Sequence, residues 1–179
     1  MSSERVKAAI RTIRGFPKPG INFRDVPALF EQPDLFEYVI AQAADWFANH
    51  ACDSLVGIDA RGFVLAGALA ARVRKPLYLV RKKGKIPTDT VQADYQLEYG
   101  SATLELSRTA RFDGASVLIV DDLLATGGTA EATCRLLREL GATRLAFATI
   151  VSLSDLSGKE RLEQAGVPVR HICAFSEAE

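Results

Sequence analysis

The stretch VLIVDDLLATGGTAEATCRLLREL, residues 117–140, gathers side chains that could do chemistry. Four apolar residues end in adjacent carboxylates, Asp121 and Asp122, and after two leucines Ala125, Thr126, Gly127, Gly128 and Thr129 open a helical pattern. Glycines let backbone amides turn toward one point and a helix start adds partial positive charge, so ATGGT is suited to cradle a terminal phosphate. Thr126 and Thr129 add hydroxyl donors. A capped helix behind a flexible turn would use the same residues with no ligand. The acid pair favours the ligand, because two carboxylates ending a buried strand repel each other unless vicinal sugar hydroxyls or a cation use them. A sugar phosphate satisfies both features. Other nucleotide loops do not fit: no glycines fall in GxGxxG spacing, and the GxxxxG run from Gly62 to Gly67 lacks the following lysine.

A second set is basic. Arg61 follows an apolar run in GIDARGF, and Arg81, Lys82, Lys83 and Lys85 put four cations in five positions. Arginines can grip a polyanion bidentately and lysines act as point charges, although RKKGK alone also reads as a solvated turn.

These groups need a frame that holds them at strand ends. Short apolar runs at Ser54–Ile58, 77–80, 117–120 and 144–151 read as buried strands, with a closing strand at Val169–Phe175. Helical patterns at Gly62–Val73, 128–140 and about 156–164 lie between them, the alternation of βαβ units around a mostly parallel sheet flanked by helices. Ligands of such sheets bind beyond the carboxyl ends of the strands, where both sets fall. Ahead of the sheet, Val6, Ile10 and Ile13 form one apolar helical stripe with Ser3 as N-cap; GFPKPG interrupts it, INFRDVPALF is extended or turn, and a helix spans about 34–49. The interval 84–100, GKIPTDTVQADYQLEYG, is polar and lacks sustained periodicity. It reads as a solvated hairpin or loop, or as a lid over the site.

Composition bounds the partners. With 22 Lys+Arg against 22 Asp+Glu in 179 residues, no global field draws nucleic acid or an anionic membrane, so an anion must be held locally. A hydrophobic content of 48% excludes disorder, and no apolar run approaches the ~18 residues of a membrane span. Cys52, Cys134 and Cys173 are scattered and unpaired by motif, giving neither a disulfide framework nor a zinc site, while His50 and His171 read as ordinary structural histidines.

VLIVDDLLATGGT resembles the phosphoribosyl-pyrophosphate motif of type I phosphoribosyltransferases, and its DDLLATGGT form is similar to the branch that uses adenine. GFPKPGINFRDV, GIDARGF, LVRKKGKIP and DYQLEYGSATLEL resemble that branch in the same order, so the likeness spans about residues 14–155 of a single domain. It implies the type I fold with a flexible lid at 84–100 and an amino-terminal hood, residues 1–33, that recognises the base. It also implies a cytoplasmic homodimer, in purine salvage, that transfers the ribosyl phosphate of phosphoribosyl pyrophosphate to adenine. AMP and pyrophosphate are the products. Mg2+ is the implied cofactor, held mainly by the substrate near Asp121 and Asp122 rather than by a dedicated set of ligands.

By the same resemblance, Ala125, Thr126, Gly127, Gly128 and Thr129 hold the 5-phosphate, and Asp121 and Asp122 face the ribose as it gains glycosyl-cation character. Arg61, Arg81, Lys82 and Lys85 take the pyrophosphate, part of the basic stretch reaching the partner's site. Phe23 stacks on adenine while the backbone at Asn22 and Arg24 reads its edge; family members commonly carry an apolar residue where this chain has Asn22. Glu98 manages the purine proton, and Tyr95 and Tyr99 help close the lid. Two alternatives remain: a transferase for xanthine or guanine, and a non-catalytic regulator of the same fold. The regulator is disfavoured by the lack of length for a DNA-binding domain and of net positive charge for RNA.

Overall fold

The computed structural model describes residues 2–97, 100–176 and 179. Its amino-terminal helix α1 (Ser3–Ala9) ends earlier than the apolar stripe predicts. Ile10 is already extended, and Ile13 lies in strand β1 (Arg11–Arg14), paired antiparallel with β2 (Asn22–Asp25) and opposite Phe23. Pairing with the INFRD segment gives this backbone its partners, so the strand wins over a third helical turn, and only Val6 and Ile10 of the stripe are buried. Ser3 is the first helical residue rather than the cap; Ser2 precedes it and makes no side-chain capping bond. Helices α2 (Pro27–Phe30) and α3 (Pro33–Asn49) follow, each with proline in its first turn, where no amide is needed.

The main sheet is built from β3 (Ser54–Ile58), β4 (Leu77–Lys82), β5 (Thr90–Leu97), β6 (Gly100–Ser107), β7 (Ser116–Leu124), β8 (Arg144–Leu153) and β9 (Val169–Phe175), in the order β5-β6-β4-β3-β7-β8-β9. The five strands from β4 to β9 in that order are parallel, and β5 and β6 extend them as an antiparallel hairpin. Between strands lie α4 (Gly62–Val73), α5 (Gly128–Glu139) and α6 (Gly158–Gln164). Each central strand feeds two cores: in β7, Val117 and Ile119 pack with Leu136, Leu137 and Phe147, while Leu118 and Val120 pack with Leu65, Leu69 and Val39. That two-sided burial is why these strands read as unbroken apolar runs.

The interval 84–100 is therefore not an irregular loop along most of its length. Val91, Ala93 and Tyr95 face the core and Gln92, Asp94 and Gln96 face solvent, a period of two over which β5 pairs with β6. Glu98 and Tyr99 lie outside the described residues.

Candidate active site

Strands β3 and β7 are parallel neighbours in register, Gly57 opposite Val120, so the segments leaving their carboxyl ends meet. Strand β7 runs on to Leu124, which makes the acid pair part of the strand: Asp121 pairs with Thr149 of β8, and Asp122 is 4% exposed. Helix α4 starts against this point. A Cβ on Gly62 would stand 2.8 Å from the Val120 carbonyl and 2.9 Å from Asp121 Oδ1, so a glycine is required there. That approach brings Arg61 over the acids, its Nε 3.1 Å from Asp122 Oδ2.

Both carboxyls sit above the ordinary aspartate value. For Asp121 burial is the main cause and the neighbouring Asp122 charge the next; for Asp122 burial dominates and the Arg61 cation opposes it. Asp121 Oδ1 accepts the Asp122 amide at 2.9 Å, but Asp122 Oδ2 is buried without an aligned hydrogen bond, despite Arg61. Such groups are poised to accept sugar hydroxyls or to share a hard cation. Among the described residues no three His, Cys, Asp or Glu side chains converge as a metal-binding group, so a cation here needs further oxygens from a ligand.

The cradle follows at once. Gly127, the residue before α5, has φ +87°, which turns the chain back so that Ala125 to Thr129 line one cavity with Asp121, Asp122, Arg61, Lys82, Asp59 and Tyr95. Its floor is α6: a Cβ on Gly158 would lie 2.1 Å from the Ala125 carbonyl and 2.8 Å from the Gly127 nitrogen. A second cavity is lined by Asn22, Arg24, Ile21, Leu153, Leu156 and Ser176, and it shares Ala125 and Thr126 with the first. At about 280 and 270 Å³, the two together reach the size of a small-molecule cleft.

The hood is fixed by Arg24. Its guanidinium lies 4.4 Å from the Phe175 ring centroid and donates to Thr12 Oγ1 and, at 2.8 Å, to the Ser176 carbonyl. The side chain thus ties β2 to β1 and to the residue after β9, and both Arg24 and Ser176 line the second cavity. Phe23 does not line this cavity; its ring packs edge-on against Phe16 at 5.2 Å, with the Arg61 guanidinium 5.5 Å away.

The basic set divides. Arg61 and Lys82 line the first cavity, whereas Arg81 and Lys85 line a separate groove with Leu79, Ile86 and Leu106. At one end of this turn stands Asp59, itself in the first cavity's lining, its Oδ2 3.4 Å from Arg81 Nε and from the Lys82 amide. At the other, buried Glu105 accepts the amides of Lys85 and Ile86 at 2.8 and 2.9 Å. Burial alone would raise the Glu105 carboxyl, but those amides and that of Gly84 bring it below its ordinary range. The cysteines take no part: burial pushes the Cys134 thiol up to about 11 and that of Cys173 to about 12.

Sequence reasoning overlooked Asp59, Glu105, Gly158 and Arg161. Asp59 could have been noticed beside Arg61 at a strand end. Nothing local marks Glu105, Gly158 or Arg161, whose partners lie roughly 20 to 35 positions away.

A parallel α/β sheet with an acid pair running into a glycine cradle defines a phosphoribosyltransferase site, and the phosphoribosyl transferase domain family matches residues 28–170. The chain is 46% identical over 175 residues to the adenine phosphoribosyltransferase of Jannaschia sp. (strain CCS1), covering 98% of each. Its fold matches the crystal structure of adenine phosphoribosyltransferase from Rhodothermus marinus (TM-score 0.89, 42% identity, 97% of this chain and 98% of that one). It also matches the Saccharomyces cerevisiae enzyme complexed with an imino-altritol bisphosphate and adenine (TM-score 0.87, 33% identity, 96% and 98%). The chain belongs to the adenine phosphoribosyltransferases, within the type I phosphoribosyltransferase fold.

Proposed function

We propose that this chain transfers the 5-phosphoribosyl group of phosphoribosyl pyrophosphate to adenine, giving AMP and pyrophosphate in purine salvage, as a cytoplasmic homodimer. The observation that carries the reading is the pair of neighbouring cavities that share Ala125 and Thr126 in their walls, one with acids and a phosphate cradle, the other against the hood. A nucleoside monophosphate has that arrangement: phosphate and ribose in one half, base in the other.

In this mechanism the amides and hydroxyls of Ala125 to Thr129 anchor the 5-phosphate and so orient the ribose ring. Asp121 and Asp122 accept the ribose hydroxyls. As the C1′–oxygen bond to pyrophosphate breaks, their negative charge stabilises the positive charge growing on the ring. Arg61 and Lys82 take the charge of the departing pyrophosphate. Mg2+ suits the all-oxygen donor set of Asp121 and Asp122 completed by substrate oxygens, and when bound it supplies charge neutralisation to the pyrophosphate. Main chain at Asn22 and Arg24 reads the base edge, and stacking by Phe23 requires its ring to leave the edge-on contact with Phe16. The bond from adenine N9 to C1′ then forms as N9 gives up its proton; Glu98, aided by Tyr95 and Tyr99, is the group assigned to share a proton on the imidazole side of the base. In a dimer, Arg81 and Lys85, which line a separate groove, are assigned to the partner's pyrophosphate, Arg81 exchanging its contact with Asp59 for that anion.

A panel of bases tests the reading. With phosphoribosyl pyrophosphate and Mg2+, adenine is expected to react fastest. Faster turnover of xanthine or guanine would remove the assignment to adenine, and no turnover with any base would favour the regulator.

A further inference from the structure

Arg161 lies on α6, outside the acid pair, the cradle and the hood, yet its guanidinium is committed to the cradle. Nη1 donates to the Thr126 carbonyl at 3.0 Å, while Nε donates to Glu131 Oε1 at 2.9 Å and Nη2 to Glu131 Oε2. Glu131 in turn donates its backbone amide to the Gly127 carbonyl at 2.9 Å. The Thr126 carbonyl is therefore tied to a bidentate Arg–Glu pair that bridges α5 and α6, while the next carbonyl, that of Gly127, is held by the first backbone bond of α5.

The geometry points to Arg161 as a positioning residue for the 5-phosphate, with Glu131 as its anchor. A trans peptide holds its N–H opposite its C=O, so fixing the Thr126 carbonyl fixes the direction of the Gly127 amide. The need for such a brace is local: Gly127 has φ +87° and glycine on either side of the Gly127–Gly128 peptide leaves the turn without side chains to restrain it. A guanidinium can do this where an ammonium cannot, because its planar fork grips the Glu131 carboxylate and keeps a further N–H for the carbonyl. The pair is not there for stability. Arg161 is 45% and Glu131 25% exposed, a setting in which an ion pair adds little to folding. A cradle held ready by charge-assisted bonds, by contrast, does not have to be ordered by the incoming phosphate.

This inference rests on the assignment of Ala125 to Thr129 as the phosphate cradle. The test uses the full-length protein and its Arg161→Ala, Arg161→Lys and Glu131→Gln variants. Calorimetry with ribose 5-phosphate reads the cradle alone, and steady-state kinetics separate KM for phosphoribosyl pyrophosphate from KM for adenine. Losing one charge-assisted bond corresponds to about 10-fold in affinity. Arg161→Ala is expected to weaken ribose 5-phosphate by about that factor and to raise KM for phosphoribosyl pyrophosphate similarly. KM for adenine and the melting temperature stay close to wild type. Arg161→Lys recovers only part of the loss, and Glu131→Gln falls between it and wild type. Unchanged ribose 5-phosphate affinity in Arg161→Ala overturns the proposal, as does an equal rise in both KM values. If Arg161→Ala does not fold, Arg161→Lys decides by the same readings. A wild type that binds ribose 5-phosphate but makes no AMP would refute the choice of base and leave the brace to be judged by binding alone.

Discussion

Arg61 Nε stands 3.1 Å from Asp122 Oδ2, and it is the cation that meets the buried acid pair from the neighbouring strand end. The pairing is incomplete: Asp122 Oδ2 lacks an aligned hydrogen bond, and both carboxyls are held above their ordinary value. The site thus carries unrelieved charge that a substrate with ribose hydroxyls and a cation can relieve, and that charge costs stability when nothing is bound.

Asp121→Asn should therefore make the protein more stable and less active. A group whose folded pKa is raised favours folding when protonated, so the carboxyl's cost is absent below the ordinary value of 3.8 and grows as pH rises through the higher folded value. Relief of about 1 kcal/mol would raise the melting temperature at neutral pH by about 2–4 °C, with the gain shrinking toward pH 4. Turnover is expected to fall by about 100-fold. A lower melting temperature at pH 7 would show the pair to be a stabilising device.

Gly158→Ala tests the floor of the cradle. The added Cβ would overlap the Ala125 carbonyl at 2.1 Å, so backbone must move. KM for phosphoribosyl pyrophosphate is expected to rise at least about 10-fold, and stability to fall by about 1–3 kcal/mol. Wild-type kinetics would separate α6 from the site.

Glu105→Ala removes the acceptor for the Lys85 and Ile86 amides and frees the basic turn. Stability should drop by about 2–3 kcal/mol. A depressed pKa stabilises the fold above the unfolded value, so the wild type loses this contribution as pH falls below about 4.5 and through the lower folded value. Acid unfolding monitored by circular dichroism should start at higher pH in the variant; superimposable curves would show that Glu105 does not hold the turn.

Arg24→Lys keeps a charge but gives up the two-armed link between Thr12 and the Ser176 carbonyl. The hood loosens, and KM for adenine is expected to rise by about 10-fold with KM for phosphoribosyl pyrophosphate unchanged. Equal changes in both would place Arg24 in the general core.

Much of this architecture is written locally. Ser54–Ile58, Gly62–Val73 and Val169–Phe175 coincide with the expected elements because a strand buried on both faces is a plain apolar run and its helix starts at a glycine that must approach Val120. The phosphate cradle is equally local, five adjacent residues. Ile13 reads as helical because its strand partner, Phe23, lies across the GFPKPG turn and leaves no mark on the helical spacing. For 84–100 the sequence leaves hairpin, loop and lid open, because the inward row of the hairpin, Val91, Ala93 and Tyr95, is short and mixed in size. The division of Arg81 and Lys85 from Arg61 and Lys82 is a tertiary fact with no signature in RKKGK.

The central claim is group transfer between the two neighbouring cavities, and the most direct measurement is stoichiometry. Purified protein incubated with adenine, phosphoribosyl pyrophosphate and Mg2+ should form AMP and pyrophosphate in a one-to-one ratio, with little ribose 5-phosphate. Pyrophosphate released without matching AMP would contradict the account, because it would mean that water rather than adenine takes the ribosyl group.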